Sequence, residues 1–309
     1  PDEFATNTTP GTTDMSTALS SAVQSGVKRL VLRGTKYAYT GLTIPDGTKD
    51  LTIEGIAVEY HAGSSQLWFT PTTGNGIYFA GDCDYFTLRN LTLNAHGGES
   101  DSVCIADVNL TTKVIRSLII ENVHVYGWKG GIFIGYSVRV QIYGGYFSGH
   151  GKTVADGVGI KIGFNVNQSN NMCIMRDIYM VNYETGVWNG YSTNMELTSS
   201  IIAQSTTALK ADAGVTYVNN GYFESSTTAI NAGASAYIYG NWTLNGTGNA
   251  ITLASHRFAR DGYQQTRVVA YRNAVWSLNG GPTKLPFDAE EEDSESSFNT
   301  VDSDFTALF

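Results

Sequence analysis

Asp101, Asp156 and Glu184 each stand just ahead of a short apolar run, Val103-Cys-Ile-Ala, Val158-Gly-Ile-Lys-Ile and Gly186-Val-Trp-Asn. Paired carboxylates are what glycoside hydrolysis needs: one protonates the leaving oxygen, and the second acts as nucleophile at about 5–5.5 Å or as base at about 6.5–9.5 Å. If the runs stack as neighbouring strands, Asp156 and Glu184 are about 5 Å apart at the backbone and Asp101 and Asp156 near 10 Å. This makes Asp156 the candidate general acid, with Glu184 or Asp101 as its partner. His150 is placed to orient the acid or a sugar hydroxyl.

The same inserts serve a second chemistry. Lys161, His150 or a tyrosine could remove the proton alpha to a uronate carboxylate, whose charge then needs Arg, Lys or a metal beside it. No metal-ligand spacing is visible and no cofactor motif occurs. A net charge of −9 makes the chain a poor general attractor for an acidic polymer, so the balance favours hydrolysis. With 18 Tyr and 5 Trp, the chain has rings to line a sugar groove. Trp128, Tyr136, Trp188 and Tyr191, with Lys161 and Glu99, are the candidate substrate-binding residues. Each ring could equally be packing between neighbouring strands, and each carboxylate or histidine a turn cap. A non-catalytic binding module stays open on the same residues.

These residues must be positioned by a repeat. Ala208-Leu-Lys-Ala, Ala229-Ile-Asn-Ala and Ala250-Ile-Thr-Leu recur every 21 residues, and Met195-Glu-Leu-Thr, Val215-Thr-Tyr-Val and Tyr237-Ile-Tyr form a second register beside them. Upstream the first pattern continues in Gly76-Ile-Tyr-Phe, Gly131-Ile-Phe-Ile and Gly159-Ile-Lys-Ile, the second in Leu51-Thr-Ile-Glu, Phe86-Thr-Leu-Arg, Leu118-Ile-Ile-Glu, Val140-Gln-Ile-Tyr and Cys173-Ile-Met-Arg. Alternating β-branched, aliphatic and aromatic residues broken by Gly, Asn and Ser are strand-and-turn chemistry. A unit of this length cannot bury its apolar face alone and must stack. The pattern predicts an all-β fold, a right-handed single-stranded parallel β-helix of about ten rungs with two strands per repeat, its hand taken from the preference of parallel crossovers.

Three regions follow: a cap and opening strands over 1–50 with a helix over 14–25, the stack over 51–256, and antiparallel strands over 257–309. Thr13 or Asp14 is the expected helix cap, Ala18, Leu19, Ala22 and Val23 its buried face, and Gly26 its stop. With 42% apolar and 15% charged residues the chain is globular. Its acidic balance argues against nucleic acid, and it has no apolar run long enough to insert in a membrane. No signal peptide is visible. Cys83, Cys104 and Cys173 lie outside any Cys-x-x-Cys pair and read as buried thiols of a chain folded in a reducing cytoplasm.

The stretch from Asp14 to Glu54, with its Thr-Ala-Leu helix, Lys28-Arg-Leu-Val-Leu and Gly41-Leu-Thr-Ile-Pro-Asp-Gly, resembles the opening of pectate-lyase-like β-helices in phage tailspikes. The stretch from Arg267 to Ala307, with Thr283-Lys-Leu-Pro-Phe-Asp and Phe298-Asn-Thr-Val-Asp-Ser-Asp-Phe-Thr-Ala, resembles the first strands of the C1q-like jelly roll at the tip of phage tail proteins. The sequence stops at Phe309, before the later strands of that module. The resemblance implies a virion protein, homotrimeric through its tip, that binds and cleaves a bacterial capsule or O-antigen polysaccharide.

Overall fold

The computed structural model describes residues 1–58, 63–95, 100–107, 112–151, 153–165, 167–224, 228–232, 235–239, 243–245, 251–253, 268–270 and 287–288. Among the described residues there is one helix, and 26 strands join in a single sheet whose pairings are parallel. The strands sort into three ladders, visited in the same order on each passage of the chain. Ladder A runs through Arg29–Val31, Thr52–Glu54, the start of Phe86–Ala95, the start of Leu118–Ile134, Ser137–Tyr143, Asn170–Arg176, Ser192–Thr198 and Gly214–Asn219. Ladder B takes Lys36–Tyr39, Gln66–Phe69, Tyr146–Gly149, Tyr179–Val181, Ile201–Ala203 and Tyr222–Glu224, with the middle segments of the two long strands. Ladder C takes Leu42–Ile44, Asn75–Phe79, Ser100–Ala106, the end of Leu118–Ile134, Val158–Ile162, Thr185–Asn189, Thr207–Ala211 and Thr228–Ala232.

The sequence pattern predicts two strands per repeat, and the structure has three. The registers read from sequence are ladders A and C. Ladder B was hidden because segments such as Tyr179–Val181 and Ile201–Ala203 are three residues long and show no alternation of their own.

Each ladder places one apolar row inward. Leu30, Ile53, Leu88, Ile120, Ile142, Met175, Leu197 and Val218 lie in register on A. Leu67, Leu93, Val125, Phe147, Met180, Ile202 and Phe223 do so on B, and Ile77, Ile105, Ile132, Ile160, Val187, Leu209 and Ile230 on C. All are buried, and each fully buried aliphatic side chain contributes about 1.5–3 kcal/mol.

The bend from A to B contains a residue with left-handed backbone on six passages, Asn90, Asn122, Gly144, Asp177, Ser199 and Asn220, with φ of 48–63°, and at Gly144 the following Gly145 also has positive φ, 114°. Gly, Asn and Asp dominate because they bear that conformation at least cost, and Asn122 Nδ2 donates to Asn90 Oδ1 at 3.0 Å.

The helix spans Ser16–Gln24 and buries Ala18, Leu19, Ala22 and Val23 as the spacing predicts. The N-cap position falls to Met15, which makes no side-chain cap bond, in place of the expected Thr13 or Asp14; Asp14, one residue earlier, accepts from the Ser16 backbone N–H at 2.9 Å, and Gly26 follows with φ +78°. Past residue 256 the structure departs from the expected antiparallel strands: Val268–Ala270 and Phe287–Asp288 pair parallel on Ser235–Tyr239 and Ile251–Leu253. An open ladder edge offers unpaired N–H and C=O groups that a following extended segment satisfies. The stretch Glu290-Glu-Glu-Asp-Ser-Glu, which its sequence marks as a solvated acidic loop, lies outside the described residues.

At the corner between B and C the wall is too close for side chains. A Cβ on Gly159 would meet Met180 Sδ at 2.3 Å and the Gly186 carbonyl oxygen at 2.7 Å. Gly159→Ala should lower stability by about 1–3 kcal/mol through overpacking, read as a fall in the denaturation midpoint. An unchanged midpoint would show that this corner has room to relax.

Candidate functional site

The bend from B to C carries the residues singled out for chemistry. Val103, Gly130, Val158 and Thr185 form one row across four successive strands of ladder C. Asp101 and Asp156 each precede that row by two residues and Glu184 by one, so Glu184 sits one residue nearer the strand than its sequence alignment with Asp156 implies. Its side chain closes the gap: Glu184 Oε2 accepts from the Asp156 backbone N–H at 2.6 Å. Asp156 is exposed and left-handed, φ 61°. Its carboxylate therefore faces solvent from a turn held by Glu184. His150 is half-buried immediately after Tyr146–Gly149. Asp101 is in strand Ser100–Ala106, and its side chain, like all of Glu99, lies outside the described residues.

Ladder B, which leads into this bend, presents an aromatic stripe whose His124, Tyr146 and Tyr179 lie toward its A-side end and which the sequence pattern does not reveal. His124, Tyr146 and Tyr179 occupy one outward row. Tyr146 and Tyr179 stack at 5.2 Å with planes 9° apart, and Tyr126 lies 5.3 Å from Tyr146. The His124 ring is 6.1 Å from both Tyr126 and Tyr146. Tyr179 is 37% exposed. The signal was the register itself, because Tyr146 and Tyr179 are far apart in sequence and become neighbours only once ladder B is known.

On the far side of the bend, the outward row of ladder C runs Phe133, Lys161, Trp188, Lys210. Lys161 Nζ lies 3.7 Å and Lys210 Nζ 3.9 Å from the centre of a Trp188 ring, distances at which the ring quadrupole attracts a cation. The Trp188 indole N–H donates to Asp212 Oδ2 at 2.7 Å, and Lys210 pairs with Asp212 at 3.3 Å. Burial, and secondarily Lys210, hold the Lys161 ammonium below its ordinary pKa.

Three expected sugar-binding rings are placed differently. Trp128 is fully buried, its N–H donating to the Leu93 carbonyl at 3.3 Å and its ring 4.8 Å from Phe69. It is a core residue and cannot meet a ligand. Gly127, with φ 75°, resets the alternation, so that Trp128 points inward where a regular strand would turn it out. Tyr136 and Tyr191 sit at the opposite end of ladder C, in the bend from C to A. Tyr136 packs on the core, and the Tyr191 N–H donates to the Ile162 carbonyl at 3.2 Å. The length of a ladder C strand separates them from Asp156. Among the described residues no group of His, Cys, Asp and Glu could hold a metal, and no helix is long and apolar enough to cross a membrane. Cys83, Cys104 and Cys173 are free and buried, the Cys83 thiol pushed up to about 12 by burial. Comparisons with protein-family models, curated proteins and solved structures found no match for this chain.

Asp107, in the bend from C to A, was not anticipated either. Its carboxylate is fully buried and accepts from the Gly135 N–H at 2.6 Å and the Tyr136 N–H at 3.0 Å. Burial raises its pKa from 3.8 to about 7, against the opposing pull of those N–H groups. Both oxygens hold the next turn, so its role is structural. Because the folded pKa is the higher one, the unfolded chain loses this proton first, and stability falls as pH rises from about 4 to about 7. Asp107→Asn should flatten that fall in melting temperature between pH 4 and 7; an unaltered slope would place the titration elsewhere.

Proposed function

We propose that this chain is a right-handed parallel β-helix and the shaft of a homotrimeric phage tailspike, which binds a bacterial surface polysaccharide and cleaves it by glycosidic hydrolysis. The hand is that of parallel crossovers in general. The observation that carries the reading is the stacked stripe of His124, Tyr126, Tyr146 and Tyr179 on ladder B, the ladder that leads into the bend holding Asp156 and Glu184. Sugar rings have apolar C–H faces that lose water against exposed aromatic rings. A row of rings repeating at the strand spacing of about 4.8 Å suits a polymer lying across the strands.

In this reading Asp156 is the general acid, free in solvent at the rim. Glu184, in the bend before the adjoining strand, is nucleophile or base, and the spacing of neighbouring strands fits the shorter of the two carboxylate separations, about 5–5.5 Å. Asp101 is the alternative partner, and His150 orients the acid or a hydroxyl. One observation favours a second reading, a polysaccharide lyase: Lys161 has lowered basicity and stands beside Lys210, which together would supply a base and a countercharge for a uronate.

The deciding experiment incubates the protein with capsule and O-antigen preparations from a panel of bacteria and follows reducing ends together with absorbance near 235 nm. Hydrolysis yields reducing ends alone, whereas a lyase raises both signals. Binding without either signal would reduce the chain to an adhesin. Asp156→Asn should abolish cleavage with an unchanged melting temperature, since Asn tolerates the left-handed turn as Asp does; full activity would remove Asp156 from the site. Tyr146→Ala should weaken polysaccharide binding about tenfold, roughly 1.4 kcal/mol, measured by biolayer interferometry.

A further inference from the structure

Trp188 has an ammonium from the strand before it and another from the strand after it, each against its ring. The indole is thereby taken up by the protein's own cations and is unsuited to stacking a sugar. What the row offers a ligand is charge. Lys210 has its carboxylate in Asp212 at 3.3 Å, and that carboxylate also accepts the Trp188 N–H at 2.7 Å. Lys161 has no carboxylate within ion-pairing distance among the described residues. It is half-buried, and its side chain is held against Trp188 and, at 5.4 Å, the Phe164 ring.

Lys161, Lys210 and Asp212 together carry a charge of +1 in a chain of net charge −9, and Asp156 is the further carboxylate that acts on Lys161 from beyond ion-pairing distance. A half-buried ammonium bears a desolvation cost that an opposite charge relieves. The cost is visible in the lowered basicity of Lys161, for which burial is the first cause and Lys210 the second. Asp156 and Asp212 act on it in the opposite sense, yet the net direction stays downward. A ligand anion placed over this row would meet Lys161 directly and Lys210 next to it.

We infer that the Lys161, Trp188 and Lys210 row is a subsite for the carboxylate of an acidic sugar residue, so that the polysaccharide bound here is an anionic one. This rests on the proposed polysaccharide reading and deepens it. The aromatic stripe on ladder B takes the apolar faces of the polymer, and the lysine row on ladder C, across the bend that carries Asp156, takes its charge. The subsite serves hydrolysis and elimination alike. Ammonium groups act as point charges without the forked geometry of guanidinium, so the row discriminates on charge and leaves sugar identity to other contacts. Its attraction is local, and the overall negative charge of the chain opposes it only over distances that salt screens, about 8 Å at physiological ionic strength.

The test measures binding of a panel of purified bacterial capsule and O-antigen polysaccharides, each in native form and after reduction of its carboxyl groups to primary alcohols, which removes the charge and keeps the backbone. The polymers that bind should be acidic, and their carboxyl-reduced forms should bind at least tenfold more weakly. Lys161→Gln should erase most of that difference, weakening the native polymers by a much larger factor than the reduced ones, and Lys210→Gln should act in the same direction. Melting temperatures confirm that each variant is folded. Equal affinity for native and reduced polymer, or a difference that survives both substitutions, overturns the subsite and leaves the polysaccharide reading standing. Failure of every polymer to bind overturns the polysaccharide reading itself.

Discussion

Parallel pairing between one passage of the chain and the next governs this structure. Each strand inside the stack is hydrogen-bonded on both edges, to the strand one passage before and the strand one passage after, which satisfies backbone groups that would otherwise be costly to bury. Pairing in register forces residues of the same phase above one another, so a single apolar position becomes a row such as Ile105, Ile132, Ile160 and Val187. It also fixes the spacing at about 4.8 Å per strand, and that one length sets the stacking of Tyr146 on Tyr179, the seating of Trp188 between two lysines, and the reach of Glu184 to the turn at Asp156.

The same rule disposes of polar groups that fall inside. Near the C to A bend, Asn170 Nδ2 donates to Ser137 Oγ at 2.7 Å and Asn170 Oδ1 accepts from Ser192 Oγ at 2.8 Å. Asn189 Oδ1 accepts the Ser192 backbone N–H at 2.7 Å, and Asn189 Nδ2 donates to Thr216 Oγ1 at 2.9 Å. All five residues are buried. Each finds its partner on a neighbouring passage or within its own turn, so the network extends with the stack and leaves few lone pairs unmet. On ladder A, Glu54 is gripped by Arg29 and Arg89, whose Nε atoms donate to opposite oxygens at 2.7 and 2.8 Å. Hydrogen bonds from Arg29 first, then Arg89, hold its carboxyl below the usual carboxylate range despite its burial.

Much of this was legible in the sequence because stacking converts sequence period into spatial neighbourhood. The phases around Leu209 and Val218 repeat cleanly, and they are ladders C and A. What stayed hidden was whatever depended on the bends. Ladder B segments are too short to declare a period. Trp128 changes sides because Gly127 interrupts the strand in a left-handed conformation, a backbone event with no side-chain signature. Glu184 lies one residue from its expected alignment because the bend before Thr185 is placed differently from the bend before Val158, although those two residues pair directly. The aromatic stripe needed the ladder B register to exist as a set at all. Asp107 resembled any turn aspartate until its burial was seen.

The division between strand and bend also explains why the candidate site residues fall where they do. Inward positions are fixed by packing: a Cβ on Gly186 would strike Ile202 Cγ2 at 2.5 Å and the Ala208 carbonyl at 2.6 Å, so that wall admits almost no variation. Outward positions and bends bear no such constraint, yet they inherit the order of the ladders beneath them. A side chain there is free in identity but fixed in place, which is the condition for preorganised binding. Tyr146, Tyr179, Lys161 and Trp188 are all of this kind, on strands whose inward neighbours are fully buried. Asp156 differs in standing on a turn, and Glu184 supplies the tether the ladder does not: by accepting the Asp156 N–H at 2.6 Å, it ties one passage's turn to the next and keeps the two carboxylates on a common edge.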